Sequence, residues 1–174
     1  PRAVADPTDR EARAQMLLAA AIAGIGFGNA GVHLPHGMSY PVAGMVRNFR
    51  PSGYAVDHPL VPHGMSVILN TPAVVRFTHS ADPGRHLRAA AALGADISDA
   101  SSADAGEVLA ERVIYFMKIL GMPNGLRAVG YTDEDIPSLV EGTLPQHRVT
   151  KLAPRPAGSE DLAMLFEDSM TVWD

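Results

Sequence analysis

Apolar side chains recur along most of this chain at intervals of three and four residues, the period of an α-helix with one buried face. The first run follows Asp9, carries charged and polar residues in its opening turns, and becomes apolar on all sides beyond Gln15. A helix that is apolar all round is typically buried. We therefore expect the second half of this helix, from Met16 to Phe27, to be the central buried helix of the domain.

Start and stop signals indicate the remaining helices. Asp82 before Pro83 is a helix start, Gly94 is a terminator, and Thr132 followed by three acids has the pattern of a capping box. No stretch shows the sustained period-two alternation of a strand. The pattern predicts an all-α fold, with a linker remnant at residues 1–8 and a single helical domain over 9–174. Helices are expected over 35–47 with a kink at Pro41, over 62–78 with a bend at Pro72, over 83–94, over 103–121, from 132 and from 159, with loops at 48–60 and 151–158.

The composition of the chain argues against some classes of function. The chain has 174 residues, 47% of them hydrophobic and 19% charged, which suits one folded domain. The net charge of −5 argues against a nucleic-acid partner, which would call for a clustered basic face. The apolar stretch from Met16 to Leu34 is broken by glycines, so we expect no membrane span. With no cysteine, any metal must bind nitrogen and oxygen donors, as Fe(II), Zn, Mn and Ni do.

Four of the seven histidines lie between positions 33 and 63. His36 and His63 share one context, a proline before and Gly-Met after, and proline is favoured in a first helical turn. Neutral imidazole is the commonest protein ligand for divalent transition metals. The repeat therefore predicts that His36 and His63 bind a metal, although an ordinary surface role stays open from the residues alone. We interpret His33 and His58 as polar residues without a metal role.

Residues 26–31 match the dinucleotide fingerprint G-x-G-x-x-G. That fingerprint needs a preceding strand and an acid about 20 positions later. Here a helix precedes it, and no acid lies between Glu11 and Asp57. We interpret the glycines as a helix end and turn.

Residues 23–45 (AGIGFGNAGVHLPHGMSYPVAGM) and 57–67 (DHPLVPHGMSV) resemble the iron-containing (group III) alcohol dehydrogenases. The segments at 128–137 and 142–154 (GTLPQHRVTKLAP) are similar to the hydroxyacid-oxoacid transhydrogenase branch. The resemblance implies a C-terminal helical domain whose partner is an N-terminal NAD(P)-binding domain, with a divalent metal, Fe(II) or Zn, in the cleft between them. It implies a small hydroxy acid or alcohol as substrate, and it allows a homo-oligomer. The expected compartment is the cytoplasm, or the mitochondrial matrix if the source is eukaryotic.

In this family one Asp and three His bind the metal. By resemblance to the family's motifs, two of these ligands correspond to His36 and His63. The other two belong to a D-x-x-x-H helix that would precede this sequence, which starts on proline and is expected to be part of a longer protein. Within the chain only Asp82 and His86 have that spacing, out of family order, and we reject the pair.

Further candidates follow from the resemblance. Many relatives carry a second histidine four residues after the first metal histidine, where this chain has Tyr40. Tyr40 is a catalytic candidate that can donate a hydrogen bond to substrate or ribose, although phenol releases its proton less readily at neutral pH than imidazole. Arg148 and Lys151 are candidates, by residue type, for holding a substrate carboxylate.

Two histidines are fewer than the three protein ligands of a usual catalytic metal site. We therefore expect the isolated chain to bind metal weakly or not at all, and to show no turnover. The alternative is a self-sufficient helical protein, either a binding module or a metal phosphohydrolase, although the latter needs a His-Asp dipeptide and the chain has only the reversed Asp57-His58. A binding module predicts a polar, closed surface around His36 and His63, whereas a separated half-enzyme predicts an exposed apolar patch.

Overall fold

The computed structural model describes residues 1–174 and contains ten α-helices, three short 3₁₀ turns and no strands. The predicted all-α fold is confirmed. The helices are α1 (Arg2–Ala5), α2 (Arg10–Ala30), α3 (Leu34–Gly44), α4 (His63–Ile68), α5 (Thr71–Thr78), α6 (Pro83–Ala92), α7 (Ala105–Ile119), α8 (Ile136–Thr143), α9 (His147–Thr150) and α10 (Ser159–Met170). The 3₁₀ turns cover His79–Ala81, Arg127–Val129 and Asp133–Asp135.

The core lies between α5 and α7, with α6 packed on α7 and α10 packed on α5 and α8. Their apolar stripes supply fully buried side chains, among them Val74, Met117, Leu139 and Phe166. A second layer is formed by α3, which contacts α4, α8 and α9. This layer carries the predicted metal histidines, so the core of the domain supports the site from one side.

Most helix boundaries follow the predicted signals. The Asp82 carboxylate accepts from the Arg85 N–H, Gly94 adopts φ 85°, and Thr132 and Asp135 form the capping box. The region predicted as one bent helix over 62–78 is two helices, α4 and α5. Proline lacks the N–H that a helix interior needs but fits the first turn, so Pro72 belongs to the start of α5.

The segment predicted as a linker contains the single turn of α1. Arg2 holds it against the start of α2, with its guanidinium 2.8 Å from both Asp9 and Glu11. The sequence pattern missed this turn because four residues are too few to show helical periodicity.

The prediction that the second half of α2 is buried is wrong. Ala12 is the only buried residue of this helix, and Leu17 and Ile25 are 75% and 69% exposed. An apolar pattern indicates that a helix needs a partner, but it does not say which polypeptide provides one. The large apolar side chains exposed on α2 are Met16, Leu17, Leu18, Ile22, Ile25 and Phe27, and we call them the α2 apolar surface.

No single helix is long and apolar enough to cross a membrane. α2 and α3 together would have the length and the apolar character of a membrane span, but the two helices are bent by 109° at the break between them.

Candidate metal centre

His36 and His63 come together although 26 residues separate them in the sequence. His36 lies in the first turn of α3 and His63 is the first residue of α4. Their ring centroids are 5.3 Å apart, with the ring planes inclined at 58°. Two imidazoles that bind one tetrahedral ion at about 2 Å per nitrogen have ring centres about 5 Å apart. The pair is therefore spaced to share one ion.

A serine three residues after each histidine supports the helical turn that carries it. The Ser39 hydroxyl donates to the His36 carbonyl at 2.7 Å, and the Ser66 hydroxyl donates to the His63 carbonyl at 2.8 Å. Both serines are buried, at 1% and 0% exposure. The repeated unit is thus Pro-His-Gly-Met-Ser. We did not predict this role for the serines, although their repetition in the sequence is a signal that could have indicated it.

The two glycines after the histidines have different surroundings. A Cβ on Gly37 would lie 2.6 Å from Thr150 Cγ2 and 3.6 Å from Val149 Cγ2, so Gly37 lets α9 pack directly on α3. A Cβ on Gly64 would meet nothing within 4 Å. Gly37 therefore makes room for another helix, whereas Gly64 has no such neighbour.

Electrostatics favour a neutral His36. Burial, followed by the neighbouring His63 ring, lowers the pKa of His36 below its ordinary value. A neutral imidazole is the form that binds a metal. The positive end of the α3 dipole acts in the same direction.

The pair opens into a cavity of about 570 Å³, within the roughly 300–1,000 Å³ typical of small-molecule sites. Tyr40, one turn after His36 on α3, and Arg148, on α9, both line it, as the candidate roles require. Lys151 does not; it lines a separate depression of about 220 Å³ together with His147. The apolar walls are Phe27, Val32, Val149 and Leu152.

The other histidines do not complete a ligand set. His58 is exposed and lies 3.0 Å from Asp57, and His86 Nε2 lies 3.1 Å from the Thr78 hydroxyl. His33 is the N-cap residue of α3, and its buried Nδ1 has no hydrogen-bond partner. Burial is the main cause that lowers the pKa of His33, with smaller contributions from His36 and His86. No three His, Asp or Glu side chains of the chain converge on one point.

A model of the Fe-containing alcohol dehydrogenase family, C-terminal part, matches residues 1–170 of the chain. Among curated proteins, the mitochondrial hydroxyacid-oxoacid transhydrogenases of Xenopus laevis and Homo sapiens are each 59% identical over 172 residues. A probable mitochondrial hydroxyacid-oxoacid transhydrogenase of Dictyostelium discoideum is 55% identical over 173 residues. These matches include 99% of this chain but only 32–37% of the relatives, so the chain spans about a third of their length.

Solved structures agree with the family match. A 1,3-propanediol oxidoreductase superposes with a TM-score of 0.83 at 26% identity, and an alcohol dehydrogenase from Oenococcus oeni with a TM-score of 0.84 at 25% identity. Each superposition includes 97% of this chain and 40% of the other chain.

Proposed function

The chain belongs to the iron-containing alcohol dehydrogenase family, as its C-terminal part, and from this premise we propose that it supplies the metal-binding half of an NAD(P)-linked enzyme. The complete enzyme oxidises a small hydroxy acid or alcohol by hydride transfer. The identity to hydroxyacid-oxoacid transhydrogenases favours an oxo acid as the final hydride acceptor.

The observation that carries this proposal is that His36 and His63, with ring centroids 5.3 Å apart, both line a largely apolar cavity. The two imidazoles would hold Fe(II) or Zn, since both metals accept nitrogen ligands. When bound, such an ion supplies Lewis acidity that stabilises negative charge on the substrate oxygen. The remaining ligands would come from the part of the protein that precedes Pro1.

Residues of this chain have three tasks in that reaction. His36 and His63 present imidazole nitrogen donors, and their first helical turns are fixed by Ser39 and Ser66. Tyr40 donates a hydrogen bond to the substrate or to the ribose of the cofactor. Apolar walls exclude water from the carbinol carbon, whose hydrogen leaves with its electron pair to the nicotinamide while the hydroxyl proton passes to solvent.

The surface beside the site supports the proposal that another part of the protein packs there. A stand-alone binding module would have a polar, closed surface there, but Phe27 and Leu152 are 56% and 52% exposed at the cavity wall. The α2 apolar surface continues from Phe27 along the helix. We propose that the N-terminal nucleotide-binding part of the protein covers this surface and closes the site.

The proposed compartment follows from the relatives, which are mitochondrial by name. We propose the mitochondrial matrix for a eukaryotic source and the cytoplasm for a bacterial one. Fractionation of the source cells with an antibody against this chain tests the assignment.

The test of the function uses this chain joined to the nucleotide-binding part of its own full-length protein. A hydroxy acid deuterated at the carbinol carbon is incubated with an unlabelled oxo acid, without added NAD(P). We expect deuterium on the hydroxy acid formed from the oxo acid, and we expect transfer to fall below 1% in the His36→Ala and His63→Ala variants, because a lost ligand removes the ion. Full transfer by both variants would contradict the proposal.

A further inference from the structure

Arg148 is the one arginine or lysine side chain that lines the cavity beside His36 and His63. No carboxylate of the chain pairs with it. We propose that Arg148 is the residue that selects a carboxylate-bearing substrate, and that the contact of Gly37 with α9 positions it. The inference rests on the proposed function, because it names the substrate class that the same site accepts.

The guanidinium of Arg148 is available for a ligand. Arg47, Arg76 and Arg127 each pair with a carboxylate of the chain, whereas Arg148 has no such partner and is exposed. A guanidinium offers a planar fork of N–H donors that matches the two oxygens of a carboxylate. An unpaired arginine in a cavity wall is therefore free to bind an acidic ligand.

The other lining residues make an anion the favoured ligand. None of the nine residues that line the cavity is acidic, and five of them are hydrophobic. An anion placed there meets no like charge and can pair with Arg148. The imidazole pair and the guanidinium thus offer separate positions for a hydroxyl and a carboxylate of one small molecule.

Arg148 is positioned by the helix that carries it. The next residue, Val149, is buried at 5% exposure, and Val149 and Thr150 contact α3 at Gly37, directly after His36. The backbones that carry His36 and Arg148 are therefore held next to each other by the contact between α3 and α9. Lys151, two residues beyond Val149, lines a different depression, so the inference assigns the carboxylate to Arg148 alone.

A first experiment measures binding by the 174-residue chain itself and needs neither metal nor turnover. The Arg148 side-chain N–H signal is followed by NMR during titration with 3-hydroxypropanoate and, separately, with 1,3-propanediol, which has the same carbon chain without the charge. We expect a saturable shift with the acid in the millimolar range, since one exposed ion pair is weak. No shift is expected with the diol. Equal shifts with both compounds, or none with the acid, would overturn the proposal.

A second experiment measures selectivity in the chain joined to its nucleotide-binding part. For Arg148→Gln we expect kcat/KM for 3-hydroxypropanoate to fall about 10- to 100-fold, the effect of losing a hydrogen-bonded charge. The value for 1,3-propanediol should change less than about threefold, and Arg148→Lys should recover part of the loss because it keeps the charge but not the fork.

Matched variants separate this selectivity from a general loss of charge. Arg88→Gln removes an exposed arginine on α6 outside the cavity, and it should leave both substrates unaffected. A selective loss in Lys151→Gln instead of Arg148→Gln, or an equal loss of both substrates in Arg148→Gln, contradicts the proposal. If the unsubstituted protein oxidises neither compound, the proposed function has failed, and the NMR titration still decides whether Arg148 binds carboxylates.

Discussion

Within the Pro-His-Gly-Met-Ser repeat, the histidine and the serine are placed differently. The histidines face the cavity, and the serines turn inward and donate to the histidine carbonyls. The repeat holds two imidazoles at the starts of two helices, whose first turns are braced by the serine hydrogen bonds. Away from the site, single residues also join distant parts of the chain, and Asp135 is the strongest example.

Asp135 links the end of α3 to the start of α8. Arg47 binds its carboxylate through two nitrogens, at 2.7 and 2.8 Å, and the Thr132 N–H donates to it at 2.8 Å. The hydrogen bond from Arg47 is the largest of the causes that lower the pKa of Asp135 to about 2, from 3.8. A depressed carboxyl pKa stabilises the fold above the unfolded-state value, and that contribution is lost as pH falls from about 4 towards 2.

We predict that Asp135→Asn lowers the free energy of unfolding at pH 7 by about 1 kcal/mol. The expected loss is this small because Arg47 is largely exposed and solvent weakens the ion pair. The difference between wild type and variant should shrink between pH 4 and pH 2. Chemical denaturation followed by circular dichroism at several pH values measures it. The control is Glu134→Gln, an exposed acid next to Asp135, which should change stability by less than about 0.5 kcal/mol. A difference between wild type and Asp135→Asn that stays constant down to pH 2 would contradict the linkage.

The sequence predicts the site at this scale only in part. His36 and His63 are found because a short repeat and a family resemblance point to the same positions. Arg148 and Lys151 look equivalent by type, and only the docking of α9 separates them into two cavities. Such a separation depends on long-range packing, which no local pattern encodes.

Secondary-structure elements act as the positioning devices of this domain. α9 has only four residues and no sequence signal predicts it, yet its contact with α3 places Arg148 in the cavity wall. The contact requires a residue without Cβ at position 37. Gly64 is the matched position on α4, and it faces open space.

We predict that Gly37→Ala lowers the free energy of unfolding by about 1–3 kcal/mol, the usual cost of overpacking, since the added Cβ displaces Thr150. Gly64→Ala should leave stability unchanged or raise it by up to about 1 kcal/mol, because alanine restricts the unfolded chain and favours helix. Thermal and chemical denaturation measure both. Equal effects of the two substitutions would refute the assigned role of the Gly37 contact.

Helix starts and ends are well predicted where a side chain determines them. Asp82, Thr132 and Gly94 act locally, and each has the conformation or hydrogen bond that its residue type implies. The burial of α2 was wrong for a different reason. Its apolar pattern indicates that the helix suits an apolar environment, but within this chain only the short α1 is seen to pack on it. We propose that another part of the protein covers it.

Apolar side chains are distributed unequally over the whole molecule. Those of α5 and α7 are mostly packed in the core, whereas those of α2 are exposed. Six large apolar side chains of α2 are more than half exposed. Covering one such side chain fully contributes about 1.5–3 kcal/mol. A domain with this surface is expected to bind a partner, and in the absence of one to associate with itself.

We predict that the isolated chain self-associates and binds a hydrophobic dye, and that the triple variant Leu17→Glu, Ile22→Glu, Ile25→Glu is monomeric and binds less dye. Its helical circular dichroism should be unchanged, because none of the three side chains is buried. Sedimentation velocity at several concentrations measures the association. A wild-type chain that stays monomeric and binds no dye would contradict a partner surface on α2.

We propose above that His36 and His63 are one half of a metal site. It is tested most directly by calorimetric titration of Zn²⁺ into the isolated 174-residue chain and into its His36→Ala and His63→Ala variants. We predict weak binding by the wild-type chain, because two imidazoles are fewer than the three protein ligands of a usual site, and no measurable binding by either variant. Tight stoichiometric binding by the isolated chain, or weak binding that survives both substitutions, would show that the ligands lie elsewhere.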